Sequence, residues 1–476
     1  MKRLNRDTFP KKRYPEKIVQ FGEGNFLRAF ADWMVHEMNQ KTDFDAGVVV
    51  VQPIAQGLVP FLDEQGGLYT VYLNGIKKGQ AVSENQIIDC IQRGIDPYKD
   101  YQAYLRLAEN PDLRFVFSNT TEAGIAYRDG DALGDAPPVS FPAKLTALLY
   151  RRFQIFSGSP NEGLIIIPCE LIDRNGDNLK RIILQYAEDW KLGGTFVDWI
   201  NNGNIFCNTL VDRIVPGYPR DKMDAITKEL GYLDKLVVEG EQFHLWVIEG
   251  PKTVQREFPA EAAGLKVIFT DNMEPYRTRK VRILNGAHTS LVPVAYLYGI
   301  DKVRESLEDP VVGRFLQETI FEEIIPTLDL PREELEQFAY DVLDRFRNPY
   351  LEHALISISL NSISKFKTRV LPSLLAYIKR KKALPERLLF SLAALIVFYR
   401  GKRNNEAIPL KDDSAVLGFF AEQWGKDDIS QTVRNTLSNT QFWGEDLTLF
   451  KGLSEKVERG VNAILNKGLR EAVRSI

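Results

Sequence analysis

The feature that most constrains this chain is a series of short, uninterrupted Val/Ile/Leu runs in its first half, each followed by apolar residues at helical spacing. "KIVQFG" leads into "NFLRAFADWMVHEMNQ", and "AGVVVVQP", "LRFVFSNTTE" and "EGLIIIPCEL" come after it. A strand with one wet face alternates apolar and polar residues. A strand apolar at every position is buried on both faces, as happens when crossover helices cover the two sides of a parallel sheet. The pattern predicts a doubly wound α/β domain. "YTVYLNG" and "LVVEGEQFHLWVIEG" lie between the main runs and are expected as antiparallel additions, with "LKVIFTDN" at 265–272 as the last strand.

From Pro275 onward the texture changes: apolar spacings of three and four dominate and nearly every segment reads as helix. With 476 residues there is room for two or three cores. The boundary is placed near Asn272, giving an α/β Rossmann-type domain over 1–272 and a largely α-helical domain over 273–476. "LLFSLAALIVFY" at 388–399 is 12 residues long, whereas a bilayer span needs about 20, so it is expected as a core helix. "YRGKRNNEAIPLKDD" reads as an exposed loop.

Charge and targeting signals narrow the class. The 61 basic and 64 acidic residues are spread evenly, so no broad basic face is expected and nucleic acid is not an expected partner. The opening "MKRLNRDTFPKKRYPEK" is basic but lacks the apolar segment of a secretory signal, which predicts a cytoplasmic protein with no membrane partner. Cys90, Cys169 and Cys207 are widely spaced and odd in number, as reduced thiols would be, and none has metal-ligand spacing with a histidine. No metal is expected.

The first strand-to-helix turn carries Gly22-x-Gly24. Glycines there let backbone NH groups meet a pyrophosphate that a side chain would exclude. The third glycine of the full pattern is replaced by Leu27, and a simple tight turn stays open as the other reading. Its place at the start of the βα series favours the dinucleotide. After the second strand, where an acid selects NAD or an arginine NADP, the chain has Gln52-Pro53, which is silent. "SNTTEAG", 118–124, ends another strand. It can line the cofactor cleft, form a capped turn with Thr120 or Thr121 as N-cap and Glu122 in the first helical turn, or do both.

"KVRILNGAHTS", 280–290, is the second candidate. On a helix advancing about 100° per residue, His288 falls about 80° and Asn285 about 140° from Lys280, so the three share a face. A partly buried lysine is a workable proton donor and acceptor near neutral pH. An ammonium, an amide NH2 and an imidazole NH are the donors that a developing alkoxide needs. A surface lysine, a capping asparagine and a core histidine remain the plainer alternative.

Gly22-x-Gly24-Asn25-Phe26-x-Arg28, Thr121-Glu122-x-Gly124, "VDRI" at 211–214 and above all Lys280-x4-Asn285-x2-His288 resemble the mannitol dehydrogenase family of long-chain, zinc-independent polyol dehydrogenases. The resemblance covers essentially the whole chain. It implies a dinucleotide-binding first domain, a substrate-binding and catalytic second domain, an active site between them and NAD as cofactor. Phe21, Gly22, Gly24, Asn25, Phe26, Arg28, Gln52, Thr120, Thr121 and Glu122 would then meet the cofactor. Lys280 would be general acid/base, Asn285 an oxyanion donor and His288 a binder of substrate oxygens, with Asp212 nearby.

One position departs from the family. Where polyol-oxidising members read Cys-Asp-Asn, this chain has Cys169-Glu170-Leu171, and Leu171 cannot donate, so Asn175 is the candidate substitute. Several stretches, among them "IIIPCELIDRNG" and "LNGAHTSLVPVA", are most similar to members acting on hexuronates. A keto-uronate is therefore the expected substrate, with a related hexuronate, a polyol or a catalytically inactive dinucleotide-binding protein as alternatives. A uronate carboxylate calls for a fixed cation. Arg345, Arg347, His353, Lys365, Lys367 and Arg369 are available; Lys365 and Asn348 are chosen for the cleft, and the rest are expected at the surface. His36 and His244 are expected to be structural. Oligomeric state is not readable.

Overall fold

A computed structural model describes residues 1–77, 79–426 and 428–476. The chain divides into two compact units, Met1–Lys77 with Val82–Met273, and Glu274–Ile476.

The first unit is built on six strands: β1 (Glu16–Phe21), β2 (Gly47–Val51), β3 (Ile91–Ile95), β4 (Phe115–Ser118), β5 (Ile165–Pro168) and β6 (Ile205–Phe206). They pair in parallel in the order β3-β2-β1-β4-β5-β6. This is the doubly wound dinucleotide order, whose direction reverses between β1 and β4. The continuous apolar runs have the predicted cause. Ile18, Val48, Val50, Phe115, Phe117, Ile165 and Ile167 face one core. Their sequence neighbours Val19, Val49, Val51, Val116 and Ile166 face another on the opposite side of the sheet.

Helices α1 (Asn25–Ala29) and α2 (Ala31–Lys41) cover the first face, while α3 (Phe141–Ile155) and α4 (Asn175–Asp189) cover the second. The single helix expected after the glycine turn is two, because the backbone leaves helical geometry at Phe30. Its ring is wedged between Phe26 and Trp246, with centroids 4.9 and 5.2 Å away. The expected antiparallel additions do not join the main sheet. Tyr69–Lys77 pairs in parallel with Val238–Glu241 in one three-stranded sheet. Leu245–Glu249 joins Asn208–Asp212 and Val267–Thr270 in another.

The second unit is almost wholly helical. It begins with α5 (Glu274–Arg279), a π-helical segment Lys280–Asn285 and α6 (Gly286–Tyr298). It continues through α7 (Arg332–Phe346), α8 (Ser362–Arg369), α9 (Glu386–Phe398) and α10 (Leu453–Lys467). Every residue of α9 from Leu388 to Phe398 is buried, as its apolar run predicts. The expected loop around 399–413 contains a two-residue-stranded hairpin, Lys402–Arg403 against Glu406–Ala407, turned by Asn404 and Asn405 at φ 49° and 69°. Asparagine tolerates that left-handed pair, which is what such tight turns require. No helix among the described residues is long and apolar enough to cross a membrane.

Candidate active site

In the first unit a cavity of about 610 Å³ opens where the strand order reverses. Its wall includes Gly22 and Gly24 after β1, Pro53 and Ile54 after β2, and Asn119 and Thr120 after β4. Gly22 has φ +120°, and a Cβ there would sit 3.1 Å from the Asn119 carbonyl oxygen, so the turn requires glycine. Gly24 is different: a Cβ there meets nothing within 4 Å. Its backbone borders open space, which a phosphate needs and a larger side chain would fill. The site fits a dinucleotide on these observations.

Two buried carboxylates shape this wall. Glu170 is 2% exposed. Its Oε1 accepts from the Thr120 backbone NH and hydroxyl at 3.0 Å each, and its Oε2 accepts from the Ser118 hydroxyl at 3.0 Å. The loop after β4 is thereby pinned to the end of β5. Burial raises the Glu170 pKa, and these donors act against that shift. Below the glycine turn, Gln20 Nε2 donates to the Gly22 carbonyl at 3.0 Å and to Asp32 Oδ2 at 3.2 Å. Asp32 is fully buried on α2, and desolvation pushes its carboxyl up to about 7.

Of the sequence candidates for this cavity, Gly22, Gly24, Thr120 and Thr121 line it. Phe21 does not; it is completely buried against Phe141, with centroids 4.9 Å apart. Arg28 is also removed from it, because its guanidinium donates to the Glu23 and Leu236 carbonyls and to Asn25 Oδ1. Asn25 is occupied by that bond and Phe26 stacks on Phe30. Gln52 is 1% exposed and donates to the Ile54 carbonyl. Glu122 is exposed in a turn outside the lining, and no helix begins there: Thr121 sits at φ 77° and the next helix starts at Phe141. Asn119, within the stretch 118–124 that was expected at the cofactor cleft, lines the cavity as well, whereas sequence reasoning missed Tyr127 and Arg128. Neither carried a signal in the sequence.

Asn175 does not fit its expected role. It has no exposed surface, its amide nitrogen is surrounded by the Pro168, Glu170 and Thr209 oxygens, and its Oδ1 accepts from the Gly176 and Thr209 backbone NH groups. It fastens α4 to the sheet. Leu171 is 62% exposed, and Asp212 is buried at the end of the strand Asn208–Asp212.

The second unit holds the other set. Lys280–Asn285 winds as a π-helix, not the α-helix assumed from spacing. In an i→i+5 winding the sixth residue returns over the first, so Asn285 comes nearer the Lys280 side than the about 140° of an α-helix. Such segments are frequent at functional sites. The Asn285 side chain makes no hydrogen bond among the described residues, so its NH2 is available.

His288, on the next turn, stacks on Phe346 at 4.0 Å and meets the His353 ring edge-on at 5.2 Å. Its Nε2 is shut from solvent without a partner among the described residues. Desolvation first, then the charges of His353, Arg345, Arg369 and Lys365, hold its pKa well below the usual histidine value. The ring is neutral at pH 7 and keeps an NH to donate. Lys365 Nζ donates to the Ile358 carbonyl at 2.8 Å. Asn348 is 2% exposed and its Oδ1 accepts from the Tyr350 NH at 3.0 Å.

Residues 16–262 match the mannitol dehydrogenase Rossmann domain and residues 272–465 the mannitol dehydrogenase C-terminal domain. The chain is 52% identical to an altronate oxidoreductase of Escherichia coli O139:H28, covering 100% of both chains. It is 51% identical to that of Shigella flexneri, again over 100% of each. Its fold resembles D-sorbitol dehydrogenase in substrate-free form, with a TM-score of 0.81 at 22% identity over 97% of this chain and 95% of the other. It also resembles Pseudomonas fluorescens mannitol 2-dehydrogenase in a ternary complex with NAD and D-mannitol, with a TM-score of 0.64 at 21% identity over 97% and 94%.

Proposed function

This chain belongs to the mannitol dehydrogenase family, and from that premise we propose that it is an NAD-dependent reductase converting D-tagaturonate to D-altronate, reversibly and without a metal. The observation that carries the reading is the 52% identity, over the whole of both chains, to altronate oxidoreductase. The glycine turn and its open cavity support a dinucleotide, with Gly22, Gly24, Asn119 and Thr120 forming the cradle.

Bound NADH supplies the hydride for the keto carbon. The chain's own groups deal with the oxygen. As a C=O becomes C–OH, the oxygen gains negative charge and then one proton. Lys280 is assigned to deliver that proton, and to take it back when altronate is oxidised. Asn285, whose amide NH2 has no acceptor among the described residues, stabilises the charge as it develops. His288, held neutral, offers an NH to a substrate oxygen without repelling the nearby cations. Cys90, Cys169 and Cys207 are buried thiols, which supports a cytoplasmic setting.

A panel of keto-uronates and ketoses assayed with NADH tests the assignment. Tagaturonate should be turned over fastest. Faster turnover of fructuronate would move the substrate within the hexuronates, and faster turnover of fructose than of any uronate would reject the proposal. Tight NADH binding with no turnover across the panel would leave only a dinucleotide-binding protein.

A further inference from the structure

The second unit contains an arginine that its own fold does not explain. Arg369 closes α8 and is half-buried, yet its guanidinium makes no hydrogen bond and no ion pair among the described residues. Other arginines of the unit are matched: Arg279 with Glu334, Arg387 with Glu318 and Arg403 with Asp301. Drawing a charge out of water without a partner is costly, so such a group is retained for something the free protein does not contain.

Its location points to what that is. A Cβ on Gly286 would lie 3.0 Å from the Arg369 carbonyl oxygen, so the end of α8 rests against the backbone between Asn285 and His288. His288 offers its own unpartnered, solvent-shut Nε2. The titratable groups that act on this imidazole are His353, Arg345, Arg369 and Lys365, all basic. Lys365 already gives one donor to the Ile358 carbonyl, and the nearest acid acting on it, Asp412, accepts from Tyr399 and from the Ile363 and Asp413 NH groups.

We propose that Arg369, beside His288, binds the carboxylate of the sugar acid and so makes this site select an acid over a neutral ketose. The assignment rests on the uronate reading above. A planar guanidinium offers two parallel NH donors to a carboxylate, and a terminal CH2OH in the same place would leave the buried charge without a counter-ion. The site therefore discriminates through the penalty on the neutral analogue as well as through attraction for the acid.

The test compares wild type with Arg369→Gln and Arg369→Lys. Arg369→Gln should raise the keto-uronate KM on the order of 10- to 100-fold, the loss of one charge-assisted bond pair. Its kcat/KM for fructose should rise, because the penalty on a neutral ketose goes with the charge, its NADH dissociation constant should hold, and Arg369→Lys should recover part of the uronate KM. Equal losses for uronate and fructose, or an unchanged uronate KM, would overturn the assignment. Competitive inhibition by D-gluconate and by its neutral analogue D-sorbitol gives a readout that does not depend on the substrate's identity. Wild type should favour gluconate and Arg369→Gln should not; a wild type indifferent to the carboxylate also overturns the proposal. A wild type that prefers gluconate but reduces no keto-uronate would sink the proposed reaction and leave Arg369's role standing.

Discussion

The two units prepare for their ligands in opposite ways. The first makes its cavity by leaving side chains out: Gly22 because a Cβ would crowd the Asn119 carbonyl, Gly24 because the space above it is open. The carboxyl groups there, Asp32 and Glu170, are buried beneath the wall and fix backbone in place. The second unit brings charge forward, with Arg369, Lys365, His353 and Arg345 gathered around a neutral imidazole. A cofactor common to many enzymes is met by backbone shape, whereas a particular substrate is met by side chains that other family members can vary. The units also neutralise a buried group in opposite senses, an acid pushed up at Asp32 and a base pushed down at His288.

The largest expected effect breaks the division of labour at its chemical end. Lys280→Ala should lower kcat about 1000-fold, roughly 4 kcal/mol of barrier, while the NADH dissociation constant changes less than about twofold. Stopped-flow turnover beside fluorescence titration of NADH measures both. Parallel loss of the two would make the lysine a structural part of its helix.

The next effect tests the opposite signs. Asp32 has a folded pKa of about 7, above its unfolded 3.8, so its contribution is fully present below pH 4 and is lost as pH rises through 7. Between pH 5 and 8 that amounts to roughly 3 kcal/mol. His288, with its pKa depressed, behaves the other way: its contribution is present above the ordinary histidine pKa and is lost on acidification. Urea midpoints from pH 5 to 8 should fall with rising pH less steeply in Asp32→Asn than in wild type. Equal slopes would mean that Asp32 is ionised in the folded protein.

How much of this was legible in the sequence follows the same contrast. The parallel sheet was readable because burial on both faces leaves no polar residue in β2 or β5. Gly22 and Gly24 were readable from their place at the first strand-to-helix turn of a βα series, since a glycine pair alone would fit a simple tight turn equally well. The break at Phe30 was not, since it depends on Trp246, more than two hundred positions away in sequence. Arg28 and Asn175 look like ligand-binding residues in a motif, but their hydrogen bonds run to backbone brought there by the fold. Arg369 was expected at the surface while Lys365 was chosen from the same six cations; the sequence does not show that Arg369 is half-buried and without a partner among the described residues. The π-helical winding at Lys280–Asn285 leaves no mark in residue spacing, because the apolar pattern is read with the α-helical period.

A smaller effect probes the open space over the turn. Gly24→Leu should raise the NADH KM on the order of 10-fold, the usual cost of overpacking, with kcat at saturating NADH nearly unchanged. Its Cβ has no neighbour to strain, so the melting temperature should hold within a few degrees. A normal NADH KM would show that the cofactor does not approach this turn.

The smallest effect joins the two halves of the second unit's site. At Gly286 an added methyl gains helix propensity worth about 1 kcal/mol but presses on the Arg369 carbonyl at 3.0 Å, which costs about as much. Gly286→Ala should therefore change stability by less than about 1 kcal/mol in either direction. The end of α8 must still yield by a few tenths of an ångström, carrying the guanidinium with it. The keto-uronate to fructose ratio of kcat/KM should then fall a few-fold while NADH binding stays constant, because charge-assisted pairs depend on alignment as well as distance. An unchanged ratio would mean that Arg369 reaches its ligand by side-chain freedom and not by the seat of its helix. Carboxylate selection would then lie in the rotamer, and the contact at Gly286 would serve packing alone.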